Sequence, residues 1–227
     1  MADEENYGWQ GKLWRTKGET VNHKSRLKEF EMKAREIFGE NFISLSEACA
    51  VLGKTLSRKE LNIFCSFSKS EEELRKSAKD GFCLITVPKR MTVKEICLLV
   101  PGLFIFGEGR EIIALKNKVI RPGRYLIKNE PIDLSFNQLM MKEEKIGRKP
   151  LKDPELVEVI FAYALCYLLG KRKMLIERIC IICHEEIQSR MYGKKHVYFQ
   201  KKPETAFKIG IWINQMPIPN FLQIERI

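Results

Sequence analysis

The residues best equipped for chemistry form the run Cys180-Ile181-Ile182-Cys183-His184. Written C-x-x-C-H, it matches the attachment signature of a c-type haem, in which two thiols add to vinyl groups and the histidine ligates iron. That chemistry calls for export. Met1 to Asn6 is acidic and Tyr7 to Arg15 has no apolar run, so a signal peptide is not expected. Zinc is the nearer alternative, because Cys180, Cys183 and His196 stand at C-x2-C-x12-H, the spacing of the first three ligands of a finger. The second histidine of a finger is missing from Val197 to Lys202, which leaves His184 as the candidate fourth ligand, and no second Cys pair completes a ribbon. The competing reading makes these residues core thiols of an apolar strand. Alternation then places Cys180 and Ile182 on one face and Ile181 and Cys183 on the other. On that reading no cofactor is expected, zinc being the single alternative.

Charge is the second feature. The chain of 227 residues has 40 Lys+Arg against 29 Asp+Glu, a net charge of +11. Residues 1–80 contribute +1, residues 81–160 +4 and residues 161–227 +6, the last from 11 basic and 5 acidic side chains. A basic surface favours nucleic acid, anionic lipid or acidic proteins as partners. The C-terminal excess gathers in Lys171-Arg172-Lys173, Lys194-Lys195 and Lys201-Lys202, interleaved with Tyr192, Tyr198, Phe199 and Trp212. Cations beside aromatics on a sheet can hold a phosphate backbone and stack bases. Lysines also populate loops for solubility and blunt sheet edges. Two capped helices between Ser44 and Phe67 resemble a helix-turn-helix in outline, with Arg58, Lys59 and Asn62 on the second. Their neighbourhood is nearly neutral, which is wrong for a DNA reader.

Catalytic signals are sparse. There are three histidines, His23, His184 and His196, and Gly107, Gly109 and Gly123 form no phosphate loop. Glu143-Glu144 and Glu185-Glu186 read as solvated charges. No residue is nominated as a catalyst, and the chain is read as a binding protein before an enzyme. The seven cysteines are odd in number and mostly lie in apolar segments, as buried thiols of a reducing compartment do.

The elements that must position these groups follow from periodicity and punctuation. Leu27, Phe30, Ala34, Ile37 and Phe38 recur at helical spacing before Gly39. Ser44 with Glu47, Ser57 with Glu60 and Thr92 with Glu95 have the spacing of capping boxes, and Ser70 to Lys79 reads as a polar helix. Phe82 to Val87, Leu103 to Phe106, Glu111 to Leu115 and Tyr125 to Lys128 read as strands, with Pro122-Gly123 as a turn. Ser135 and Gln138 begin a small helix ahead of a basic linker, Ile146 to Lys149. Asp153 reads as the N-cap and Pro154 as the first residue of an apolar helix that ends at Gly170. Its 14-residue apolar stretch, Leu156 to Leu169, includes Glu158 and falls short of the roughly 17–25 residues that span a bilayer. Four segments of strand character follow: Leu175 to Cys183, His196 to Gln200, Ala206 to Ile213 and Phe221 to Ile227. The fold class expected is α+β, with a helical N-terminal third, then mixed β around a buried central helix and a C-terminal antiparallel meander. The corresponding regions are 1–22 (polar lead-in), 23–80 (helical), 81–150 (mixed β/α) and 151–227 (central helix plus meander), with 81–227 as one compact unit.

In Pro122-Gly123-Arg124-Tyr125-Leu126-Ile127, Asn129-Glu130-Pro131, Leu156 to Arg172 and Ile181-Ile182-Cys183, residues 42–227 resemble a family of short, uncharacterised proteins from genomes of uncultured bacteria. The resemblance implies no catalytic residue. It implies that Cys183 holds a common strand position, while Cys180 and His184 are peculiar to this chain. After Cys183 the pattern departs, with His184-Glu185-Glu186 in place of small polar residues. The function expected is that of a cytosolic, non-enzymatic protein binding an acidic partner, RNA or DNA among the candidates, through basic C-terminal loops. A zinc module using Cys180, Cys183 and His196, or an enzyme of unassigned class, are the alternatives.

Overall fold

Local hydrogen-bonding signals set the helices. In a computed structural model, which describes residues 23–65, 69–128, 154–171, 180–189, 193–201, 206–211 and 224–227, four capping boxes led by a Ser or Thr hydroxyl are formed. Ser44, Ser57, Ser70 and Thr92 start α2 (Leu45–Val51), α3 (Arg58–Leu61), α4 (Glu71–Lys79) and α5 (Val93–Leu99). In each, the hydroxyl oxygen accepts from the amide three residues on, whose carboxylate accepts from the cap amide, so two orphan donors are satisfied at once. Ahead of them α1 (His23–Phe38) buries Phe30, Ala34 and Phe38 along one stripe and stops at Gly39. The candidate DNA-reading helix is four residues long and passes into the 3₁₀ turn Asn62–Phe64, too short to lie along a major groove.

Among the described residues, ten strands make three sheets. One runs in the order β1 (Phe42–Ile43), β2 (Phe82–Val87), β6 (Gly123–Lys128), β10 (Ile224–Arg226), with β1 parallel to β2 and the other pairs antiparallel. A small ribbon pairs β3 (Met91–Thr92) with β5 (Val119–Ile120). The third sheet runs β4 (Phe104–Phe106), β9 (Phe207–Ile211), β8 (Gly193–Lys201), β7 (Cys180–Ser189), with β4 parallel to β9.

The α+β class and the helical start are as the sequence predicts. Three expectations are corrected. Glu111 to Leu115 is no strand: α6 (Arg110–Ala114) runs into a 3₁₀ turn, burying Ile112 and Leu115, three apart, and exposing Ile113. The last strand leaves the meander, because β10 pairs with β6 in the other sheet (Ile224 opposite Ile127). The central helix, α7 (Leu156–Leu168), is capped at Glu155, whose amide donates to Glu158 Oε2 at 3.0 Å, so Pro154 precedes the helix. The helix expected at Ser135, the linker Ile146–Lys149 and Asp153 lie outside the described residues.

Every residue of α7 from Leu156 to Cys166 except Glu158 is buried, as its all-round apolar sequence requires. Its core joins Cys83, Ile85 and Val87 of β2, Tyr125 and Ile127 of β6, and Cys183, Phe199 and Ile209 of the third sheet. Phe82, Leu84 and Leu126 face the opposite way, into a smaller core with Phe30, Ala34 and Leu74. The first sheet is thus covered on both faces, and β2 reads as a continuous apolar run rather than an alternating one. Among the described residues no helix is long and apolar enough to cross a membrane.

Candidate functional site on the third sheet

Strand β7 is longer than its apolar start suggests. It continues through His184-Glu185-Glu186 to Ser189, antiparallel to β8, with an irregularity in register between Ile182 and Glu186. Ile181, Cys183, Glu185 and Ile187 are buried and His184 and Glu186 exposed, so alternation holds straight through the polar triplet. This corrects the reading of Glu185 as a solvated charge. Its side chain is 6 % exposed, and both carboxylate oxygens accept from the Leu156 amide, at 3.0 and 2.8 Å. The His184 amide also donates to Pro154 O at 2.8 Å, so β7 clamps the start of α7 at two adjacent residues. A carboxylate there meets the positive end of the helix dipole and an amide with no partner inside the helix.

Burial pushes the Glu185 carboxyl above its ordinary range, against the opposing pull of the Leu156 amide, its own amide and Lys118. The folded chain therefore holds the Glu185 proton more tightly than the unfolded chain, and this group's contribution to stability falls as pH rises from about 4.5 through the raised value. Glu185→Gln keeps an acceptor for Leu156 and removes that pH dependence. Glu185→Ala strands a buried amide and is expected to be less stable than Glu185→Gln by about 1–3 kcal/mol in urea unfolding.

Outward from this clamp lies a polar cleft of about 460 Å³, lined by Leu115, Lys118, His184, Glu185, Glu186 and His196. Glu186 and His196 are register partners, and His196 Nε2 lies 3.6 Å from Glu186 Oε1. His196 Nδ1 is shut off from solvent and has no hydrogen-bond partner. The cleft thus brings together two of the four candidate metal ligands, His184 and His196. It excludes Cys183, which is fully buried on the opposite face of β7. Cys180 is paired with Gln200, four residues along β8 from His196, a strand distance of about 13 Å. Among the described residues no group of three or more His, Cys, Asp or Glu is placed to hold a metal ion.

The candidate nucleic-acid residues divide. Lys171, which follows α7, donates from Nζ to Phe42 O at 2.9 Å and to Glu47 Oε1 at 3.0 Å. Glu47 also accepts from Arg35 at 2.7 Å and from the Ser44 amide. Although burial opposes it, these donors hold the Glu47 carboxyl down at about 2. Lys171 is therefore a structural tie between α7 and the N-terminal helices. Lys194, Lys195 and Lys201 belong to β8 itself, which corrects their placement in loops. Arg172, Lys173 and Lys202 lie outside the described residues, as do Tyr192 and Trp212. Tyr198 and Phe199 are buried, Tyr198 against Gly210, where a Cβ would come within 2.8 Å of its ring, and Phe199 within the core. They are not free to stack on bases.

Sequence reasoning missed Lys118 and the role of Glu185. The signal for Glu185 was present, since Ile181, Cys183, Glu185 and Ile187 share one strand parity. Lys118 joins the cleft through the turn after α6, a segment whose sequence also fits a strand. The chain matches no family model, no curated protein and no solved structure.

Proposed function

We propose that the protein is a non-enzymatic binding protein whose acidic partner, with a nucleic-acid phosphate backbone the favoured chemistry, meets the third sheet on its β7–β8 hairpin. The observation that carries this reading is the charge of residues 161–227, 11 basic against 5 acidic side chains, one of those acids being Glu185, withdrawn into the core. Lys194, Lys195, Lys201 and Lys208 stand on adjacent strands of one sheet, β8 and β9. With Tyr198 and Phe199 buried, the support is for backbone charge and not base stacking, so binding should be indifferent to sequence. Retention on heparin and on a scrambled single-stranded oligonucleotide, titrated with salt, tests it. Retention lost steeply between about 50 and 200 mM salt is expected, and no retention at low salt sinks the reading.

A further inference from the structure

A groove of about 360 Å³ lies above the smaller core, between α1 and the start of α4. Arg26, Phe30, Lys33 and Ile37 line it from α1 at i, i+4, i+7 and i+11, so it follows that helix for about 16 Å. Its floor is apolar and deep: Phe30, Ala34 and Leu74 are each less than a tenth exposed. An occupant must be slender to reach them, and the volume is that of a small-molecule cleft.

The charges along the middle of the groove are paired with one another. Lys33 stands 3.7 Å from Glu29 and 3.8 Å from Glu71. Glu71 also holds Arg75 at 2.8 Å, and Arg75 reaches Glu36 at 3.0 Å. Since Lys33 faces Glu71 and Glu36 faces Arg75, α1 and α4 run in the same direction, and Lys69, two residues before α4, lies toward the Arg26 end. Burial pushes the Cys65 thiol up while Arg124 and Arg26 pull against it, so both guanidiniums stand near Cys65 at that end. Arg124 is sealed behind the floor, 4.1 Å from the Phe30 ring, and Glu31, the acid it feels, is turned to the Leu45 amide at 2.7 Å. Arg26 is exposed and, among the described residues, makes no ion pair and no side-chain hydrogen bond. The groove is thus cationic at one end and apolar along its floor to Ile37.

We propose that this groove binds a small monocarboxylate with an elongated apolar body, its carboxylate on the Arg26 guanidinium and its apolar part along Phe30, Ala34 and Ile37. The planar fork of an arginine suits a carboxylate, and burial of the apolar part supplies the remaining affinity. This is a second site, independent of the β7–β8 hairpin.

The test is a titration of octanoate into the full, isotopically labelled chain, followed by backbone amide chemical shifts. Saturable shifts centred on α1 from Arg26 to Ile37 and on the start of α4 are expected, with a Kd at or below about 1 mM. 1-Octanol keeps the chain length without the charge and should bind about three- to tenfold more weakly. Acetate keeps the charge without the apolar body and should give no saturable shifts there. Arg26→Gln, an exposed change that leaves the fold intact, should weaken octanoate by the same factor as loss of the ligand charge and leave octanol unchanged. Arg26→Lys should retain most of the octanoate affinity. The proposal is overturned if octanoate and octanol bind equally, if Arg26→Gln weakens both alike, or if acetate binds as well as octanoate. It is also overturned if no saturable shifts reach these residues at about 5 mM octanoate. None of these outcomes bears on oligonucleotide binding at the hairpin.

Discussion

Phe199→Ala is expected to cost about 3–5 kcal/mol of folding stability, the largest loss of any single substitution considered. Phe199 is fully buried in an aromatic cluster. Its ring stacks on Phe207 at 4.8 Å with 17° between planes, and it meets Tyr163 at 4.9 Å and Phe104 at 6.1 Å. These four side chains join β8, β9, β4 and α7, so the cavity left by alanine opens where the third sheet meets the central helix. The offset and tilted ring pairs add to the area they bury. Urea unfolding measures the loss. If the variant instead lost less than about 1 kcal/mol while its oligonucleotide affinity fell, Phe199 would be a surface stacking platform and the burial described for it would be wrong.

Arg124→Ala is expected to cost about 2–4 kcal/mol. Arg124 is only 3 % exposed, yet it lies on β6, a central strand of the first sheet. Its guanidinium donates to Phe64 O at 2.6 Å and sits 4.1 Å above the Phe30 ring, so one side chain ties the sheet to α1 and to the 3₁₀ turn after α3. Burial draws its pKa down to about 10, which leaves it cationic at neutral pH, so the loss should not vary with pH between about 6 and 8. Arg124→Met fills much of the same volume and should recover part of the loss, while Phe64 O stays without its donor at a cost of about 1–3 kcal/mol. Equal stability of Arg124→Ala and wild type in urea would show that the guanidinium does not hold this turn.

How far the sequence reveals such features depends on whether the cause is local. The capping boxes at Ser44, Ser57 and Thr92 involve residues three apart, and all three helices begin where the spacing places them. β2 is equally legible, since a run with five apolar residues in six needs cover on both faces. Glu111 to Leu115 is ambiguous because Ile112, Ile113 and Leu115 satisfy both periods over so short a run, and only packing against the core selects the helix. β10 leaves the meander through long-range pairing with β6, for which the local sequence carries no signal. Within the candidate site, the two histidines were identifiable by type. Their separation from Cys183 was not, because it depends on β7 extending six residues beyond the apolar run. Glu185 illustrates the same limit: its partner, the Leu156 amide, lies 29 residues away.

The central claim is that phosphate charge meets the β7–β8 hairpin, and it is tested most directly by the slope of log affinity against log salt for a single-stranded oligonucleotide. The account predicts that Lys194→Ala/Lys195→Ala lowers that slope by about 1.4, two phosphate contacts at about 0.7 each. It predicts that Lys171→Ala, which breaks the tie to Phe42 and Glu47, reduces stability and leaves the slope unchanged. A slope that is flat in the wild type, or that falls with Lys171 and not with the hairpin lysines, would contradict it.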